Sequence, residues 1–365
     1  MTAKLVLENI KHRPMRSLLS ILLIGVPVTL ILSLVGLSEG LLQDAQNRAR
    51  NIGADVLVRG SSASGAISFS GAAIPEGVVR FVQSQSHVTL AMGVVVHPIE
   101  LPLNIMGIDL AKFNQMNGGF HFIHGGGFQG PDDVLIDKFY AAQTHKAVGD
   151  TLRLLKREWR VAGIFDGGKL ARIVVRKERL QDLDSVTDKV SVIYVKLDDP
   201  ARADEVARQL RELMPNYTID TMEAFTSMFN VNNIQGLKEF IYVVMGIGVV
   251  IGFAVVCLSM YMAVLQRTRE IGILKSLGGS KGFILRIILI ESLALSVGGT
   301  VVGIVMSYGA YWAVGTFVPA SIPMIIVYAW WPKAGAITLI GTGLGALYPG
   351  LNAARHDPIE ALAYE

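Results

Sequence analysis

The sequence predicts an integral membrane α-helical bundle of four transmembrane helices, arranged one plus three, with an α+β extracytoplasmic domain inserted between helices one and two. Three observations predict this class. Of 365 residues, 51% are hydrophobic and only 17% charged, with a mean hydropathy of +0.45, whereas soluble globular proteins carry about 25% charged residues. Long segments without any charge recur along the chain. The charged segment 40–239 separates the first of them from the others.

The first uncharged segment extends from Ser17 to Ser38, between Arg16 and Glu39. It is long enough for a spanning helix, which needs about 20 apolar residues. A secretory signal is the alternative interpretation, because basic residues precede the segment. Signal sequences have shorter apolar regions, of about 7–15 residues, and end at a small-residue cleavage site. Residues 36–40 match such a site poorly, so we expect an uncleaved anchor.

Three further spans are predicted in the C-terminal part of the chain. The first is the uncharged segment Phe240–Gln266, the second a helix from about Phe283 to Thr316, and the third a helix from about Lys333 to Leu351. The loop between the last two is rich in proline, which disfavours helix. Aromatic residues flank this loop, as in the aromatic belts of membrane interfaces. They are Trp312, Tyr328, Trp330 and Trp331.

The distribution of basic residues predicts the orientation, because lysines and arginines of short loops mark the cytoplasmic side. Residues 1–16 contain four basic residues and one acidic residue, Glu8. Residues 267–286 contain five basic residues and one acidic residue, Glu270. Both segments are therefore predicted in the cytoplasm, and both chain termini with them.

Three regions follow from these spans. Residues 1–39 form the cytoplasmic N-terminus and the first spanning helix, residues 40–239 the extracytoplasmic domain, and residues 240–365 the remaining three spans with the C-terminal tail. Short strands bounded by Gly, Pro or Asp predict an α+β fold for the domain. The predicted strands include 53–59, 94–96, 133–136, 152–155, 159–164, 190–197 and 217–219.

One helix of this domain is predicted at residues 201–213. It follows the strand 190–197 and places Val206, Leu210 and Leu213 on one face, with charged residues opposite. Such a strand and helix pair is a common packing module and indicates no particular chemistry.

The residues point to binding or transmission rather than to catalysis. Neither H-E-x-x-H nor the phosphate loop G-x-x-x-x-G-K-[ST] occurs in the sequence. The single cysteine, Cys257, excludes an intramolecular disulfide and a cysteine-built zinc site. His121 and His124 are a weak metal candidate, since two histidines without further ligands are more often loop residues. With a net charge of only +3, we predict no catalytic residue, no metal site and no nucleic-acid partner.

The most informative segment is the basic turn 267–278 between the second and third spans. Ile271 and Leu274 fall on one face at helical spacing, and Gly278 and Gly279 end the periodic pattern. We therefore predict a short amphipathic helix at the cytoplasmic surface. Two interpretations remain open, a helix resting on membrane lipids and a docking helix for a cytoplasmic partner.

This turn resembles the Glu-Arg-Thr/Arg-x-Glu-Ile-Gly-x-Leu-Arg/Lys-Ala-Leu-Gly-Ala signature of the FtsX-like, or MacB/LolC/LolE-type, permease family of ABC transporters. Residues 348–362 are similar to the family's C-terminal signature, Pro-Ala-x-x-Ala-Ala-Arg-x-x-Pro-x-Glu-Ala-Leu-Arg. Residues 133–137 and 148–150 are similar to its external-domain core. The turn shares Arg267, Thr268, Glu270, Ile271, Gly272, Leu274, Lys275, Leu277 and Gly278 with the signature. The chain departs from the two signatures at Gln266, Ser276, Gly279 and Ala363.

The resemblance implies a permease subunit that works with a separate cytoplasmic ATPase, which binds ATP and Mg²⁺, so that no cofactor is held by this chain. It implies a second permease copy, identical or related, a periplasmic adaptor and contacts with membrane lipids. Closure of the ATPase pair would move a coupling helix at 267–278 and, through the spans, the external domain. Such mechanotransmission serves export or extraction of a lipid, a lipoprotein or a small molecule. The alternative that the sequence leaves open is an FtsX-like transmitter that activates an extracytoplasmic hydrolase.

The same resemblance assigns roles to individual residues. Those implied in the contact with the ATPase are Arg267, Arg269, Glu270, Ile271, Gly272, Lys275, Leu277 and Gly278. Those implied at an interface or in coupling are Asp357, Pro358 and Glu360. Arg286 and Glu291 lie in the first turns of the third span, where they can reach the interface; a structural or coupling role and a place on a transport path both remain open for them.

Overall fold

The computed structural model describes residues 14–60, 73–100, 103–230, 233, 236–266, 271, 273, 276, 279–317 and 323–355. The chain divides into two units. One contains Met1–Glu39, Gly236–Thr316 and Met324–Glu365, and is called the helical unit. The other contains Gly40–Gln235 and Phe317–Pro323, and is called the sheet unit.

The helices and strands are numbered in chain order. The helices are α1 (Pro14–Arg50), α2 (Glu76–Gln83), α3 (Leu110–Asn117), α4 (Lys138–Thr144), α5 (Lys177–Leu183), α6 (Ala203–Leu213), α7 (Met222–Ser227), α8 (Leu237–Gln266), α9 (Lys281–Phe317) and α10 (Trp331–Arg355). The strands are β1 (Val56–Gly60), β2 (Ile74–Pro75), β3 (Val88–Glu100), β4 (Leu103–Ile108), β5 (Phe122–Gly125), β6 (Asp133–Asp137), β7 (Thr151–Leu154), β8 (Arg157–Phe165), β9 (Ile173–Arg176), β10 (Lys189–Val190), β11 (Val192–Leu197) and β12 (Tyr217–Thr221). Single turns of 3₁₀ helix, Pro200–Arg202 and Tyr328–Trp330, lead into α6 and α10 respectively.

Four of the described helices, α1, α8, α9 and α10, are long and apolar enough to cross a membrane, by length and composition. Within the helical unit their buried side chains form one apolar cluster, while many other apolar side chains are exposed, as lipid-facing residues are. The cluster consists of Ile24, Val256, Met260, Val264, Ile284, Ile288, Leu295, Ala346 and Ala353.

The sheet unit is built on one sheet with the strand order β12-β1-β11-β3-β4-β9-β6-β8-β5, and β7 pairs with β8. Most pairs are antiparallel, whereas β4–β9 and β6–β8 are parallel. The long strand β3 joins two parts, because residues 88–94 pair with β11 and residues 95–100 pair with β4. We call β12, β1 and β11 the first half-sheet, and β4, β9, β6, β8 and β5 the second half-sheet.

The sheet unit has a well-packed core, in which helices cover the sheet. Trp159 is fully buried on β8, and its indole Nε1 donates a hydrogen bond to the backbone oxygen of Leu154 at 3.1 Å. Helix α6 buries Val206, Ala207 and Leu210. The buried apolar residues of the strands and of these helices together give the sheet unit its own hydrophobic core.

Two predictions about local structure are corrected. Leu213, predicted on the buried face of α6, is 56% exposed, because the helix ends there and Met214 turns into the core instead. His124, predicted in a loop, lies on strand β5, which pairs with β8. Strands β2, β4, β5 and β9 were not predicted from the sequence. The Ser-, Gly- and Ala-rich segment 60–71 lies outside the described residues except for Gly60.

Helix α1 is longer than the predicted span. The predicted span ends near Ser38, where charged residues begin, but the helix continues to Arg50. Charged residues mark the end of the part of a helix that can lie in the bilayer. The helix itself can continue, since charged side chains are tolerated outside the bilayer. The pair of Asp44 and Arg48, four residues apart and 2.8 Å from each other, supports the added turns.

We expect the sheet unit to lose stability in acid through Asp133. Burial raises the pKa of this carboxyl group, but hydrogen bonds from Arg160 and from the backbone of Gly130 and Gln129 outweigh it and lower the pKa. Because the folded pKa is below the unfolded value of about 3.9, the stabilisation is present above about pH 4 and is lost as the pH falls through the folded pKa. Urea unfolding of the full-length chain, followed by protease susceptibility, should show a weaker acid dependence for Asp133→Asn. An unchanged acid dependence would contradict this assignment.

Candidate coupling site

The basic turn lies mostly outside the described residues. Of the eight residues expected to contact an ATPase, the structure describes Ile271, which packs against the apolar core of the helical unit. Ile273 is 45% exposed. After the turn, the Oγ of Ser280 accepts a hydrogen bond from the N–H of Phe283 at 3.2 Å and so caps the start of α9. The other seven, Arg267, Arg269, Glu270, Gly272, Lys275, Leu277 and Gly278, lie outside the described residues.

Arg286 and Glu291 lie on the same helix, but the structure does not bring them together. Arg286 is exposed, whereas Glu291 is buried on the inward row of α9 with Ile284, Ile288 and Leu295. An ionisable side chain within a span is costly at a lipid-facing position, so an inward position is the favourable one for Glu291. Asp357, Pro358 and Glu360 lie outside the described residues.

Helices α1 and α9 approach each other closely at glycines. A Cβ atom at Gly303 would lie 2.6 Å from the Cβ atom of Val28 and 2.8 Å from the backbone oxygen of Gly25. The hydroxyl of Thr29 donates a hydrogen bond to the backbone oxygen of Gly303 at 3.1 Å. Small residues permit such close packing between membrane helices, where van der Waals contact is a main source of association. Helix α1 is therefore packed directly against the backbone of α9.

The segment between α9 and α10 also contacts α1. The N–H of Ile325 donates a hydrogen bond to the backbone oxygen of Gly36 at 3.1 Å. A Cβ atom at position 36 would overlap the backbone oxygen of Ile325. This contact therefore requires glycine in the middle of α1.

The same glycine begins a motif that sequence reasoning missed. Residues 36–40 read Gly-Leu-Ser-Glu-Gly, which has the G-x-S-x-G spacing of the turn that presents a catalytic serine in α/β-hydrolases. That turn joins a strand to a helix, whereas these residues lie within the continuous helix α1, and Ser38 is buried. The match is one of spacing alone.

The last turns of α1 contribute to a cluster of four charged residues within the sheet unit. The four-charge cluster consists of Asp44, Arg48, Asp137 and Arg172. Arg48 bridges the two carboxylates, with Nε 2.8 Å from Asp44 and Nη2 3.3 Å from Asp137. Arg172 does the same, with Nη2 3.4 Å from Asp44 and Nη1 3.4 Å from Asp137. Two acids and two arginines give a cluster that is neutral as a whole.

The four-charge cluster is largely removed from water. The side chain of Asp137 is fully buried, and its other carboxylate oxygen accepts a hydrogen bond from the N–H of Tyr140 at 2.7 Å, which caps α4. Burial raises the pKa of Asp137, whereas the Tyr140 N–H and both arginines oppose that rise. A buried charge without a partner costs several kcal/mol. Each member of the cluster therefore depends on the others.

Neutral hydrogen bonds hold the same end of α1. The side-chain amide of Gln46 donates to the backbone oxygen of Phe229 at 2.6 Å. The side-chain amide of Asn51 donates to the backbone oxygen of Gly168 at 2.8 Å, and Asn117 donates to the backbone oxygen of Asn51. The end of α1 is thus fixed to several separate loops of the sheet unit.

Within the described ranges, no group of three or more His, Cys, Asp or Glu side chains could hold a metal ion. His124 lies on β5, and His121 precedes that strand. In the same described ranges, helix α1 has close contacts with α9 along its apolar part and polar contacts at its last turns.

Two models of known protein families match the chain. The MacB-like periplasmic core domain matches residues 17–213, which is more than half of the chain. The FtsX-like permease C-terminal domain matches residues 242–358. The chain belongs to the FtsX-like and MacB-like family of ABC transporter permeases. The predicted membership of this family is thereby confirmed.

Curated members of this permease family are similar over parts of their length. The uncharacterized ABC transporter permease YknZ of Bacillus subtilis is 43% identical over 123 residues, 33% of this chain and 30% of YknZ. The macrolide export ATP-binding/permease protein MacB of Chlorobaculum tepidum is 39% identical over 114 residues, 29% of this chain and 16% of that protein. The lipoprotein-releasing system transmembrane protein LolC of Xylella fastidiosa is 26% identical over 252 residues, 61% of this chain and 59% of LolC. The matches thus span less than two thirds of each of these permeases.

Solved structures of permease domains are also similar. The periplasmic region of MacB from Actinobacillus actinomycetemcomitans is 15% identical with a TM-score of 0.37, over 54% of this chain and 99% of that one. The extracellular domain of YknZ is 14% identical with a TM-score of 0.35, over 46% of this chain and 98% of that one.

Sequence reasoning did not find the four-charge cluster. Asp137 closes a segment that resembles the external-domain core of the permease family, but nothing in the sequence links it to Arg48 or Arg172. Arg48 and Asp137 are 89 residues apart, and Asp44 and Arg172 are 128 apart. The one local signal is the spacing of Asp44 and Arg48, which is that of a helical ion pair.

Proposed function

We propose that this permease couples ATP hydrolysis by a separate cytoplasmic ATPase to work outside the cytoplasmic membrane, by mechanotransmission of the MacB and LolC type. The observation that carries the proposal is helix α1, which continues from Pro14 to Arg50. Its apolar part, Ser17–Ser38, is long enough to cross a membrane. Its last turns are held in the sheet unit by the four-charge cluster. A single helix then transmits displacement from the spans to the external domain.

In this proposal the four spans have a one-plus-three topology. Residues 1–39 contain the first span, residues 40–239 form the extracytoplasmic domain, and residues 240–365 form the other three spans. The basic residues of 1–16 and 267–286 support a cytoplasmic position for both termini and for the turn. The membrane is the cytoplasmic membrane of a bacterium.

The partner ATPase binds the coupling helix 267–278 and supplies the sites for ATP and Mg²⁺. The family membership supports this contact, as does the amphipathic pattern of the turn. Residues assigned to the contact are Arg267, Arg269, Glu270, Ile271, Gly272, Lys275, Leu277 and Gly278. Residues assigned to coupling or to an interface are Arg286, Glu291, Asp357, Pro358 and Glu360. A second permease copy and a periplasmic adaptor complete the proposed assembly.

The proposed substrate is a lipid, a lipoprotein or a small molecule. The names of two relatives, a macrolide export protein and a lipoprotein-releasing protein, suggest the small-molecule and the lipoprotein classes. Vesicles that contain the permease and its ATPase test the proposal, because ATP-dependent release of a labelled lipid or lipoprotein is expected. ATP-dependent activation of an extracytoplasmic hydrolase without release would favour the FtsX-like alternative.

Reversal of one charge in the coupling helix should abolish the contact with the ATPase. We expect Glu270→Lys to lower the amount of ATPase that co-purifies with the tagged chain at least about tenfold, as loss of a charged interface pair does. Glu158→Lys is the matched control, because Glu158 is an exposed glutamate of the sheet unit. An intact complex in Glu270→Lys would argue against the assigned contact.

A further inference from the structure

We propose that the four-charge cluster is the positioning contact through which helix α1 moves the second half-sheet. This inference rests on the proposed function and names the residues that perform one of its steps. The two half-sheets differ in their connection to α1: the polypeptide chain connects α1 to the first half-sheet, whereas side chains connect it to the second.

The polypeptide chain connects α1 directly to the first half-sheet. A short connection, 51–55, leads from Arg50 to Val56, where strand β1 begins, and β1 pairs with β11 on one side and with β12 on the other. Displacement of the end of α1 is therefore transmitted through the chain to β1, and through backbone hydrogen bonds from β1 to β11 and β12.

The second half-sheet has no such covalent connection to α1; besides the hydrogen bond from Asn51 to Gly168 in the β8–β9 connection, the four-charge cluster supplies the contact. Asp137 ends β6, and Arg172 directly precedes β9. The two strands pair with Ile136 opposite Ile173, and the N–H of Asp137 donates to the backbone oxygen of Arg172 at 2.9 Å. Both cluster residues of the second half-sheet are thus held on adjacent strands, where they face Asp44 and Arg48 of α1.

The chemistry of the cluster suits a positioning contact. Two of the four contacts, Arg48 with Asp137 and Arg172 with Asp44, join α1 to the second half-sheet, so sliding of α1 across β6 and β9 lengthens at least one of them. Charge-assisted hydrogen bonds of arginine are directional, whereas apolar contacts permit sliding. Buried ion clusters are often no more stabilising than apolar side chains of the same volume. Their distinctive contribution here is a fixed position of α1 on the second half-sheet.

The contact between α1 and the second half-sheet is tested by measuring distances between spin labels on the full-length chain. No nucleotide is added in these measurements. In a Cys257→Ser background, one label at Asn47 of α1 is paired with a label at Arg153 of the second half-sheet region. The reference pair joins Asn47 to Arg208 of α6, beside the first half-sheet; all three positions are exposed. We expect Arg48→Met to broaden the distance distribution from Asn47 to Arg153 and to leave the reference distribution unchanged. Equal distributions in the variant and in the parent would overturn the proposal.

A matched control and a charge-balanced variant separate positioning from folding. Arg50→Met removes an exposed arginine of the same helix and should change neither distribution. Asp44→Asn combined with Arg48→Met removes one acid and one arginine, which are the two cluster charges of α1, and leaves Asp137 and Arg172 paired with each other. If the cluster only stabilises the fold, this balanced variant restores the parental distribution. If the cluster positions α1, the distribution from Asn47 to Arg153 stays broad although the protein is folded.

The coupling step is measured with the same balanced variant in vesicles with the ATPase. We expect ATP hydrolysis and complex formation to persist while ATP-driven release is lost. Release at the parental rate would overturn the coupling role of the cluster. Absence of release from the parent protein would contradict the proposed function, whereas the nucleotide-free distances would still decide whether the cluster positions α1.

Discussion

Replacing Gly303 with valine is expected to force helices α1 and α9 apart and to lower the free energy of unfolding by about 2–3 kcal/mol or more. The added side chain would meet Val28 and the backbone oxygen of Gly25, and backbone atoms cannot rotate away as a flexible side chain can. The hydrogen bond from Thr29 to the oxygen of Gly303 should be lost with the close approach. The measurement follows the amount of monodisperse full-length protein in detergent as the temperature is raised. We expect a lower midpoint temperature for the variant than for the parent.

The matched control for this prediction is Gly309→Val in the same helix. A Cβ atom at Gly309 would meet no atom within 4 Å. Both variants therefore change the helix propensity in the same way, but only Gly303→Val introduces a steric conflict. We expect a midpoint close to that of the parent. Equal losses in both variants would show that valine acts through the helix backbone and not through the contact with α1.

Replacing Asp137 with alanine is expected to have the largest effect in the sheet unit, about 3–5 kcal/mol, the cost of breaking a buried ion pair. The change removes the acceptor shared by Arg48 and Arg172 and the side-chain cap of α4. Protease susceptibility of the full-length chain across a urea series measures the loss. Fragments from the sheet unit should then appear at lower urea concentrations than in the parent protein.

Two further variants determine the cause of that loss. Asp137→Asn keeps an N-cap for α4 and should be less destabilised than Asp137→Ala, since only the charge is removed. Asp166→Ala removes an exposed carboxylate paired with Lys138 at 2.6 Å, and we expect no measurable change. Equal effects of the alanine substitutions at the two positions would contradict a special role for the buried carboxylate.

The sequence allowed the membrane spans and most strands of the sheet unit to be predicted. Apolar segments such as 17–38 are conspicuous because charge is costly in a bilayer. Strand β8 was predicted because its apolar residues lie between turn residues. Strands β4 and β9 were missed because short apolar segments next to longer ones carry little periodicity of their own.

The candidate coupling site was only partly predictable. The basic turn was found because it carries a local signature within one short segment. The four-charge cluster was not found, because Asp137 and Arg172 meet Arg48 only after the strands β6 and β9 have paired. The length of α1 was underestimated because hydropathy marks where a span ends and gives no information about where the helix ends.

A permease of this type must have its sheet domain and its basic turn on opposite sides of the membrane. The single native cysteine, Cys257, makes this directly measurable, because Cys257→Ser provides a background without thiols. In that background, Arg208→Cys reports on the sheet domain and Ser276→Cys on the turn, and both positions are exposed. A membrane-impermeant maleimide applied to cells with an opened outer envelope should label position 208 at once and position 276 only after the membrane is permeabilised. Labelling of both positions, or of position 276 alone, before permeabilisation would contradict transmission from a cytoplasmic ATPase to an external domain.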